Sequence, residues 1–356
     1  MKCKWPLNHI SISTTGKIRP CCAWREQPDQ PNFAHSSIEE YSNSEFFKNL
    51  ISDMKSGNFG MGCGDCIEDE KLGHQGMLYY GNRKYTQTET FLPQDAEIKF
   101  GNLCNAGCIM CSGYNSSLLE SENKKYSELS NFRSFNAHER TAWYEDEEKF
   151  NDLAKTASKL EKIRFTGGEP TVRGLLTKFL REVARHNTDI KIQITTNGNS
   201  IGQDLINILK EFKHAEFNIS VDGYGEANDF IRWPVKWSNI NRSIDLIKTL
   251  PDYSIIAETS LQVCSLSSLE DLIQWAADKE IRWNFNTVYA PEHLQPCIAS
   301  DQIKDKVMNI PGLDIEKYLR FNSTTHDIQD LREKCVRYLD TLDQIRGTNW
   351  RNVISI

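Results

Sequence analysis

Short β-rich runs alternate with helical runs between about Ala96 and Tyr289, and this pattern predicts an α/β fold. Repeated strand-then-helix units imply a parallel sheet with right-handed crossovers. Six such units fit a partial (β/α)6 TIM-like barrel better than a complete eightfold one. Chemistry-bearing residues also follow four consecutive predicted strands, where parallel α/β folds place their ligand sites.

The predicted strands share β-branched and aromatic residues bounded by turn residues. They are Ala96–Gly101, Lys162–Thr166, Ile190–Thr195, Glu216–Val221, Ser254–Val263 and Ile281–Val288. The segments between them carry apolar residues at helical spacing. They are Asp146–Leu160, Arg173–His186, Ile201–Phe212, Ser238–Leu250 and Ser267–Asp278. We expect a small cysteine-rich N-terminal domain over 1–90, the barrel over 91–300, and a helical C-terminal extension over 301–356 packed on the barrel.

The bulk composition is that of a globular protein with room for one large and one smaller domain, at 356 residues, 39% hydrophobic and 26% charged. We find no long uninterrupted apolar run, so no membrane span is predicted. A net charge of −7 argues against broad nucleic-acid binding. The N-terminus lacks the apolar region of a secretory signal. The odd count of 11 cysteines does not suit a disulfide framework, so metal ligation in a reducing cytoplasm is expected.

Three clustered cysteines are the most informative motif. Cys104, Cys108 and Cys111 have the spacing C-x3-C-x2-C. Three thiolates can hold three irons of one cubane iron–sulfur cluster and leave the fourth iron open to a substrate or cosubstrate. A structural zinc knuckle is the alternative. Zinc alone would leave the motifs after the other strands unexplained.

Those motifs follow the next three strands. Gly167-Gly168-Glu169-Pro170 follows the second, Asn197 follows the third, and Ser220 ends the fourth, with Arg232 twelve residues later. From the residues alone each has a plain structural alternative. Glu169 suits the first turn of a helix, where an acid is stabilised by the helix dipole. Ser220 is an ordinary strand residue, and Arg232 an ordinary surface arginine.

The N-terminal region carries a second group of cysteines. A β-hairpin predicted around Thr14-Thr15-Gly16 would bring Cys3 and Cys21 near each other. Cys63 and Cys66 form a CxxC pair, so the two pairs make a four-thiolate site. A zinc ribbon is the alternative here too. Cys22 either replaces Cys21 or is a bystander.

Taken in order, the motifs over Ala96 to Tyr289 resemble the radical S-adenosylmethionine (SAM) superfamily. The resemblance implies that the three clustered cysteines bind a [4Fe–4S] cluster whose open iron chelates the amino and carboxylate groups of SAM. It also implies that Glu169 and the backbone before it receive the methionine ammonium. The SAM contacts implied by the resemblance are Gly167, Gly168, Glu169, Asn197, Ser220, Arg232 and Met110. Met110 departs from the aromatic residue frequent at its position, where the adenine contact is largely through backbone.

Residues 1–66 resemble the auxiliary-cluster modules called SPASM and twitch, which open with a cysteine, a glycine and a second cysteine. Cys3, Gly16 and Cys21 occur in that order. The resemblance implies that Cys3, Cys21, Cys63 and Cys66 bind a second, auxiliary [4Fe–4S] cluster. In most members of the family this module follows the barrel, so the order here is permuted.

The resemblance implies an enzyme that reductively cleaves SAM to a 5′-deoxyadenosyl radical, which abstracts a substrate hydrogen. With an auxiliary cluster as electron acceptor, we expect an oxidoreductase-type modification of a peptide or protein side chain. The alternative is dehydrogenation of a small polar metabolite, such as an amino-sugar or aminocyclitol alcohol. A non-catalytic iron–sulfur sensor or carrier is a further alternative, against which the Glu169 motif argues. The implied partner is an external electron donor such as flavodoxin or ferredoxin. No residue is assigned a catalytic role.

Overall fold

The computed structural model describes residues 1–73, 76–134, 139–320 and 327–356. Eight strands form one sheet, in the order β2-β1-β3-β4-β5-β6-β7-β8. The strands are β1 His9–Ile12, β2 Ile18–Arg19, β3 Asp95–Lys99, β4 Lys162–Thr166, β5 Lys191–Thr196, β6 His214–Ser220, β7 Tyr253–Leu261 and β8 Arg282–Thr287. Among these described strands, β2 and β8 are the two ends of the order, so the sheet is not closed. The predicted α/β class with an open, barrel-like sheet is confirmed.

The predicted strands correspond to β3 through β8, with ends that differ by a few residues at most. Sixteen α-helices are present in the part of the chain that the structure describes. They are α1 Trp5–Asn8, α2 Ile38–Asn43, α3 Glu45–Lys55, α4 Gly64–Leu72, α5 Met77–Lys84, α6 Ser117–Lys125, α7 Glu147–Ala157, α8 Leu175–Ala184, α9 Gln203–Leu209, α10 Glu226–Ile231, α11 Trp237–Ile247, α12 Val263–Leu266, α13 Leu269–Asp278, α14 Asp301–Met308, α15 Glu316–Leu319 and α16 Ile328–Arg346. The five predicted helices are α7, α8, α9, α11 and α13.

The N-terminal hairpin also belongs to the sheet. β1 and β2 pair antiparallel, as the sequence predicts, with Ser11 opposite Arg19. In addition β1 pairs in parallel with β3, with His9 opposite Asp95. Parallel pairing continues from β3 to β4 and from β4 to β5. The sequence does not predict this extension, because a four-residue strand carries little information about a partner 86 residues away.

The chain divides into two compact units that differ from the predicted domain limits, which stay a prediction. Unit 1 comprises Met1–Asn102, His138–Ile194 and Asn207–Ala215. Unit 2 comprises Leu103–Ala137, Thr195–Ile206 and Glu216–Ile356. The cysteine-rich N-terminal region and the strands β1 to β4 therefore lie in unit 1.

One face of the sheet in unit 1 is apolar and is covered by helices. Phe165 of β4 lies 5.6 Å, centroid to centroid, from Phe179 of α8, and Phe150 of α7 lies 5.2 Å from Phe179. Phe100, just after β3, stacks on Phe165 at 5.9 Å. These rings and Ile98 are buried. Because successive strand residues point to opposite faces, the alternate positions of β3 and β4 line the other face of the sheet.

In unit 2 the C-terminal helix α16 is part of the core. Its buried side chains recur at helical spacing: Leu331, Cys335, Tyr338, Leu339 and Leu342. They join one apolar cluster with Leu261 of β7 and Val288, just after β8. The helix ends at Gly347, which adopts the left-handed conformation typical of helix C-caps. Within the described ranges, no helix is both long and apolar enough to span a bilayer.

Candidate functional site

The loop that carries Cys104, Cys108 and Cys111 is fixed by backbone hydrogen bonds. The N–H of Gly107 donates to the carbonyl of Trp233 at 2.6 Å, and the N–H of Ile109 donates to the carbonyl of Ile231 at 3.0 Å. A Cβ on Gly107 would lie 3.1 Å from Nη2 of Arg346 and 3.4 Å from the Trp233 carbonyl. Glycine at this position therefore lets the loop approach the segment that follows α10.

The three cysteines differ in their surroundings. Cys108 is buried, and Cys104 and Cys111 are half-buried. The N–H of Ala106 donates to Sγ of Cys104 at 3.4 Å. Burial raises the pKa of Cys108, an effect that the nearby Arg232 opposes, and burial together with the Cys108 charge raises the pKa of Cys111 to about 12. Free of metal, Cys108 and Cys111 are therefore neutral thiols, and they release their protons when they ligate.

Arg232 lies directly against the cysteine loop. Its Nη1 donates to Sγ of Cys108 at 3.7 Å, and its Nε lies 2.7 Å from Oδ2 of Asp222. Asp222 is fully buried, and its Oδ1 accepts from the N–H of Ser260 at 2.7 Å. Burial raises the pKa of Asp222, although Arg232 opposes this; burial would lower the pKa of Arg232, but Asp222 and Cys108 raise it. The predicted surface alternative for Arg232 is wrong, because only 8% of the residue is exposed.

The structure also brings Asn197 to the cysteine loop. Nδ2 of Asn197 donates to Oδ1 of Asn105 at 2.7 Å, and Nδ2 of Asn105 donates to Oγ of Ser200 at 2.7 Å. Asn105 lies between Cys104 and Cys108 in the chain, so this pair holds the loop from the side of β5. Among the other predicted SAM contacts in unit 2, Ser220 is the half-buried last residue of β6, and Met110 packs against the apolar core.

Helix α16 holds the same loop by polar contacts. The Tyr338 hydroxyl donates to the carbonyl of Ile109 at 2.8 Å. Arg346, at the end of the helix, donates from Nε and Nη2 to the two carboxylate oxygens of Glu122 at 2.9 Å each. Glu122 also pairs with the buried Arg133. The sequence does not predict the two contacts of α16, because each joins residues more than 220 positions apart and has no local signature.

The Gly167-Gly168-Glu169-Pro170 motif lies in unit 1, directly after β4. Gly167 has a φ of +108°, and a Cβ there would lie 2.9 Å from Cβ of Lys99. Both facts favour glycine. Glu169 is buried, and its Oε1 accepts from the Thr171 hydroxyl at 2.7 Å and from the Thr171 N–H at 3.1 Å. The carboxylate is thus held in a fixed orientation after the strand end.

The four N-terminal cysteines face one cavity, as the hairpin and the CxxC pair predict. Cys3, Cys21, Cys63 and Cys66 all line it, together with apolar side chains that include Trp5. Burial, opposed by a backbone hydrogen bond, raises the pKa of Cys3 to about 12 and that of Cys63 to about 11, and the charge of Cys66 raises both further. Four soft thiol donors in apolar surroundings are the donor set of an iron–sulfur cluster.

Cys22 is directed elsewhere. It is not among the residues that line the four-cysteine cavity. Burial is the largest effect on its thiol and raises its pKa, and Glu97 raises it further, while Arg164 and Arg19 oppose this. Within the described ranges, no group of three or more His, Cys, Asp or Glu side chains is arranged to hold a single metal ion.

One protein-family model matches part of the chain. Residues 98–266 match the model of the radical SAM superfamily. The curated relatives include GTP 3′,8-cyclases of Alkaliphilus oremlandii, 30% identical over 150 residues (39% of this chain, 44% of that protein), and of Haemophilus ducreyi, 29% identical over 137 residues (37% and 40%). A third, from Campylobacter jejuni, is 41% identical over 63 residues (18% and 19%). The matches thus span less than half of these relatives.

Two solved structures align with the chain at low similarity. Streptococcus suis SuiB bound to S-adenosylmethionine has a TM-score of 0.40 and 16% identity, over 87% of this chain and 61% of that one. SuiB bound to its precursor peptide SuiA has a TM-score of 0.40 and 14% identity, over 81% and 61%.

Proposed function

We propose, from the premise that residues 98–266 form a radical SAM domain, that this protein binds a [4Fe–4S] cluster and SAM and abstracts a hydrogen from its substrate. The observation that carries the proposal is the C-x3-C-x2-C loop, fixed by backbone hydrogen bonds at Gly107 and Ile109 and contacted by the buried Arg232. When bound, the cluster supplies the electron that splits SAM into methionine and a 5′-deoxyadenosyl radical.

The chain's own residues would bind the cluster and orient it. Cys104, Cys108 and Cys111 would hold three irons. Arg232 places a positive charge beside the Cys108 sulfur, which favours the thiolate form needed for ligation. Asp222 in turn fixes the Arg232 guanidinium through their 2.7 Å ion pair. This contact gives Arg232 a role in positioning the cluster, beside its predicted contact with the SAM carboxylate.

The SAM contacts are proposals of the same kind. The Glu169 carboxylate, held by Thr171, would receive the methionine ammonium, with Gly167 and Gly168 leaving the backbone accessible. Asn197 and Ser220 would contact the ribose. Met110 would contact the adenine through its backbone.

A second [4Fe–4S] cluster at Cys3, Cys21, Cys63 and Cys66 would accept the electron left on the substrate, which makes the net reaction an oxidation. The support is that all four thiols line one cavity. An external donor such as flavodoxin or ferredoxin would reduce the first cluster. The substrate that we propose is a peptide or protein side chain, in a cytoplasmic setting.

A small polar metabolite is the second candidate substrate, and one observation favours it. The curated relatives that match this chain are named GTP 3′,8-cyclase, and that name describes a reaction on a small molecule. The name also describes a cyclisation, so a redox-neutral outcome belongs with this candidate.

The proposal is tested by anaerobic reconstitution with iron and sulfide, followed by reduction with dithionite in the presence of SAM. We expect 5′-deoxyadenosine from the wild type and from Cys297→Ala, an isolated thiol, and none from Cys108→Ala. An iron-loaded wild type that leaves SAM intact would contradict the proposal. A peptide library and a panel of amino alcohols and nucleotides then separate the two candidates, because the true substrate stimulates deoxyadenosine release.

A further inference from the structure

A row of polar side chains crosses four neighbouring strands of unit 1. Ser11 of β1 is in register with Arg19 of β2 and with Glu97 of β3, and Glu97 is in register with Arg164 of β4. Residues in register on adjacent strands share one face of a sheet. This row therefore lies on the face opposite the helices α7 and α8.

Two more polar residues extend the row towards the carboxyl ends of the strands. Lys99 and Thr166 are the last residues of β3 and β4 and are in register with each other. Each lies two positions after a member of the row, so its side chain is on the same face. Gly167, which comes next, brings its backbone against the Lys99 side chain. The face thus leads to the strand ends, where parallel α/β folds bind ligands.

The charges on this face do not balance. Over β1 to β4 this face carries four cations, Arg19, Lys99, Lys162 and Arg164, and two carboxylates, Asp95 and Glu97, which leaves a formal charge of +2. Glu97 is also well satisfied. Its Oε1 accepts from the Thr166 hydroxyl at 2.8 Å, and its Oε2 accepts from the Ser11 hydroxyl at 3.2 Å, while Arg19 is 3.8 Å away.

Three of these cations share one carboxylate. Lys99, Arg164 and Arg19 all act electrostatically on Glu97, and Arg19 also donates to the Trp24 carbonyl and the Ser11 hydroxyl at 3.4 Å each. The Nε atoms of Arg19 and Arg164 are buried without a hydrogen bond. Burying an excess of positive charge is costly, and an anionic ligand would offset that cost. Lys99 and Arg164 are half-buried, so a ligand can reach them.

We propose that Arg19, Lys99 and Arg164 form an anion-binding subsite that takes a phosphate or carboxylate group of the substrate, an inference that rests on the proposed function. A planar guanidinium matches either group in a bidentate geometry, and an ammonium adds a point charge. The subsite binds the charged group of the substrate. The carbon that reacts is then a different part of the same substrate molecule. Glu97 positions Arg19 and keeps the cations apart.

The competing explanation is that these cations neutralise thiolates of the second cluster. Of the N-terminal thiols, Cys22 has a pKa that Arg164, Arg19 and Lys99 lower, against the effect of burial. Neither Arg19, Lys99 nor Arg164 lines the cavity of the other four cysteines. The cations therefore face a different space from the proposed auxiliary-cluster site.

The test measures anion binding to the full-length reconstituted protein by thermal-shift titration with inorganic phosphate and, separately, acetate, at ionic strength matched with chloride. Lys99→Gln and Arg164→Gln remove charge from the subsite. Lys155→Gln is the matched control, because it makes the same change at an exposed position of α7, on the opposite side of the sheet. Arg164→Lys keeps the positive charge. It replaces Arg164→Gln in the comparison if the glutamine variant does not fold.

We expect the wild type, Lys155→Gln and Arg164→Lys to bind one probe, and Lys99→Gln and Arg164→Gln to bind it roughly ten- to hundredfold more weakly. Preference for phosphate points to a phosphorylated substrate, and preference for acetate to a carboxylate. If the anions raise the melting temperature equally in all variants, the effect is exclusion of salt from the protein surface, and the inference is overturned. It is also overturned if the anions do not change the melting temperature of any protein.

One further readout separates this inference from the proposed function. Substrate-independent release of 5′-deoxyadenosine is measured on the same samples. If SAM is cleaved but no variant changes anion binding, only the subsite is refuted. If anions bind as expected but SAM is not cleaved, only the proposed function is refuted.

Discussion

The hydrogen bond from Tyr338 to the cysteine loop gives the sharpest stability prediction. The Tyr338 hydroxyl donates at 2.8 Å to the carbonyl of Ile109, and both residues are fully buried. Tyr338→Phe removes the donor and leaves the ring in place. A buried acceptor without a partner costs about 1–3 kcal/mol, so we expect the free energy of unfolding to fall by about 2 kcal/mol.

Tyr338→Phe should also weaken the binding of the cluster. Ile109 lies between Cys108 and Cys111, so freeing its peptide loosens two of the three proposed ligands. We expect Tyr338→Phe to lose iron to a chelator faster than the wild type. The assays are urea unfolding of the metal-free protein, followed by circular dichroism, and iron release from the reconstituted protein.

The matched control is Tyr253→Phe, the same change at a residue of unit 2 that is 37% exposed. It should unfold within about 0.5 kcal/mol of the wild type. If Tyr338→Phe is as stable as this control and keeps its iron equally well, α16 does not hold the cysteine loop, and the reasoning fails.

Three further changes test other parts of the account. Arg346→Met removes the bidentate partner of Glu122 but leaves its pair with Arg133, and should cost about 1.5–3 kcal/mol in urea unfolding, whereas the exposed Arg337→Met should be neutral; equal effects would refute the buried pair. Burial would raise the pKa of Glu97, but Lys99 and two arginines hold this pKa at about 2. The ionised Glu97 therefore stabilises the folded protein fully at pH values above its ordinary pKa near 4.5, and this stabilisation is lost as the pH falls towards 2. Glu97→Gln should therefore remove about 3 kcal/mol of acid-dependent stability, and an unchanged acid-unfolding curve would contradict this. Cys21→Ala should lose the second cluster, and Cys22→Ala should keep it, by iron content; the reverse result would reassign the ligand.

The sequence predicts the elements better than their long-range contacts. Strand and helix positions follow from local periodicity, and the four N-terminal cysteines meet because a hairpin and a CxxC pair are local features as well. The place of β1 beside β3 could not be predicted, because parallel pairing has no turn to fix its register. Predicted contacts of SAM with Ser220, Met110 and the Gly167 motif stay predictions.

The polar partners of the site were missed for a related reason. Asp222 follows a strand end, and this position is a weak indication of a functional residue. Its pairing with Arg232 could not be predicted, because it depends on the turn after α10. Tyr338 and Arg346 lie on an amphipathic helix, where a tyrosine or arginine on the buried face has the same pattern whether it packs or binds. The cationic face of unit 1 became visible only from strand register, because its members lie on four separate strands.

The central claim is that the chain holds two iron–sulfur clusters on two separate sets of cysteines, and an iron and sulfide count after anaerobic reconstitution tests it most directly. The account predicts about eight irons in the wild type, and about four both in a Cys104/Cys108/Cys111→Ala variant and in a Cys3/Cys21/Cys63/Cys66→Ala variant. About four irons in the wild type and almost none in the first variant would contradict it, and would leave the N-terminal cysteines to zinc or to no metal.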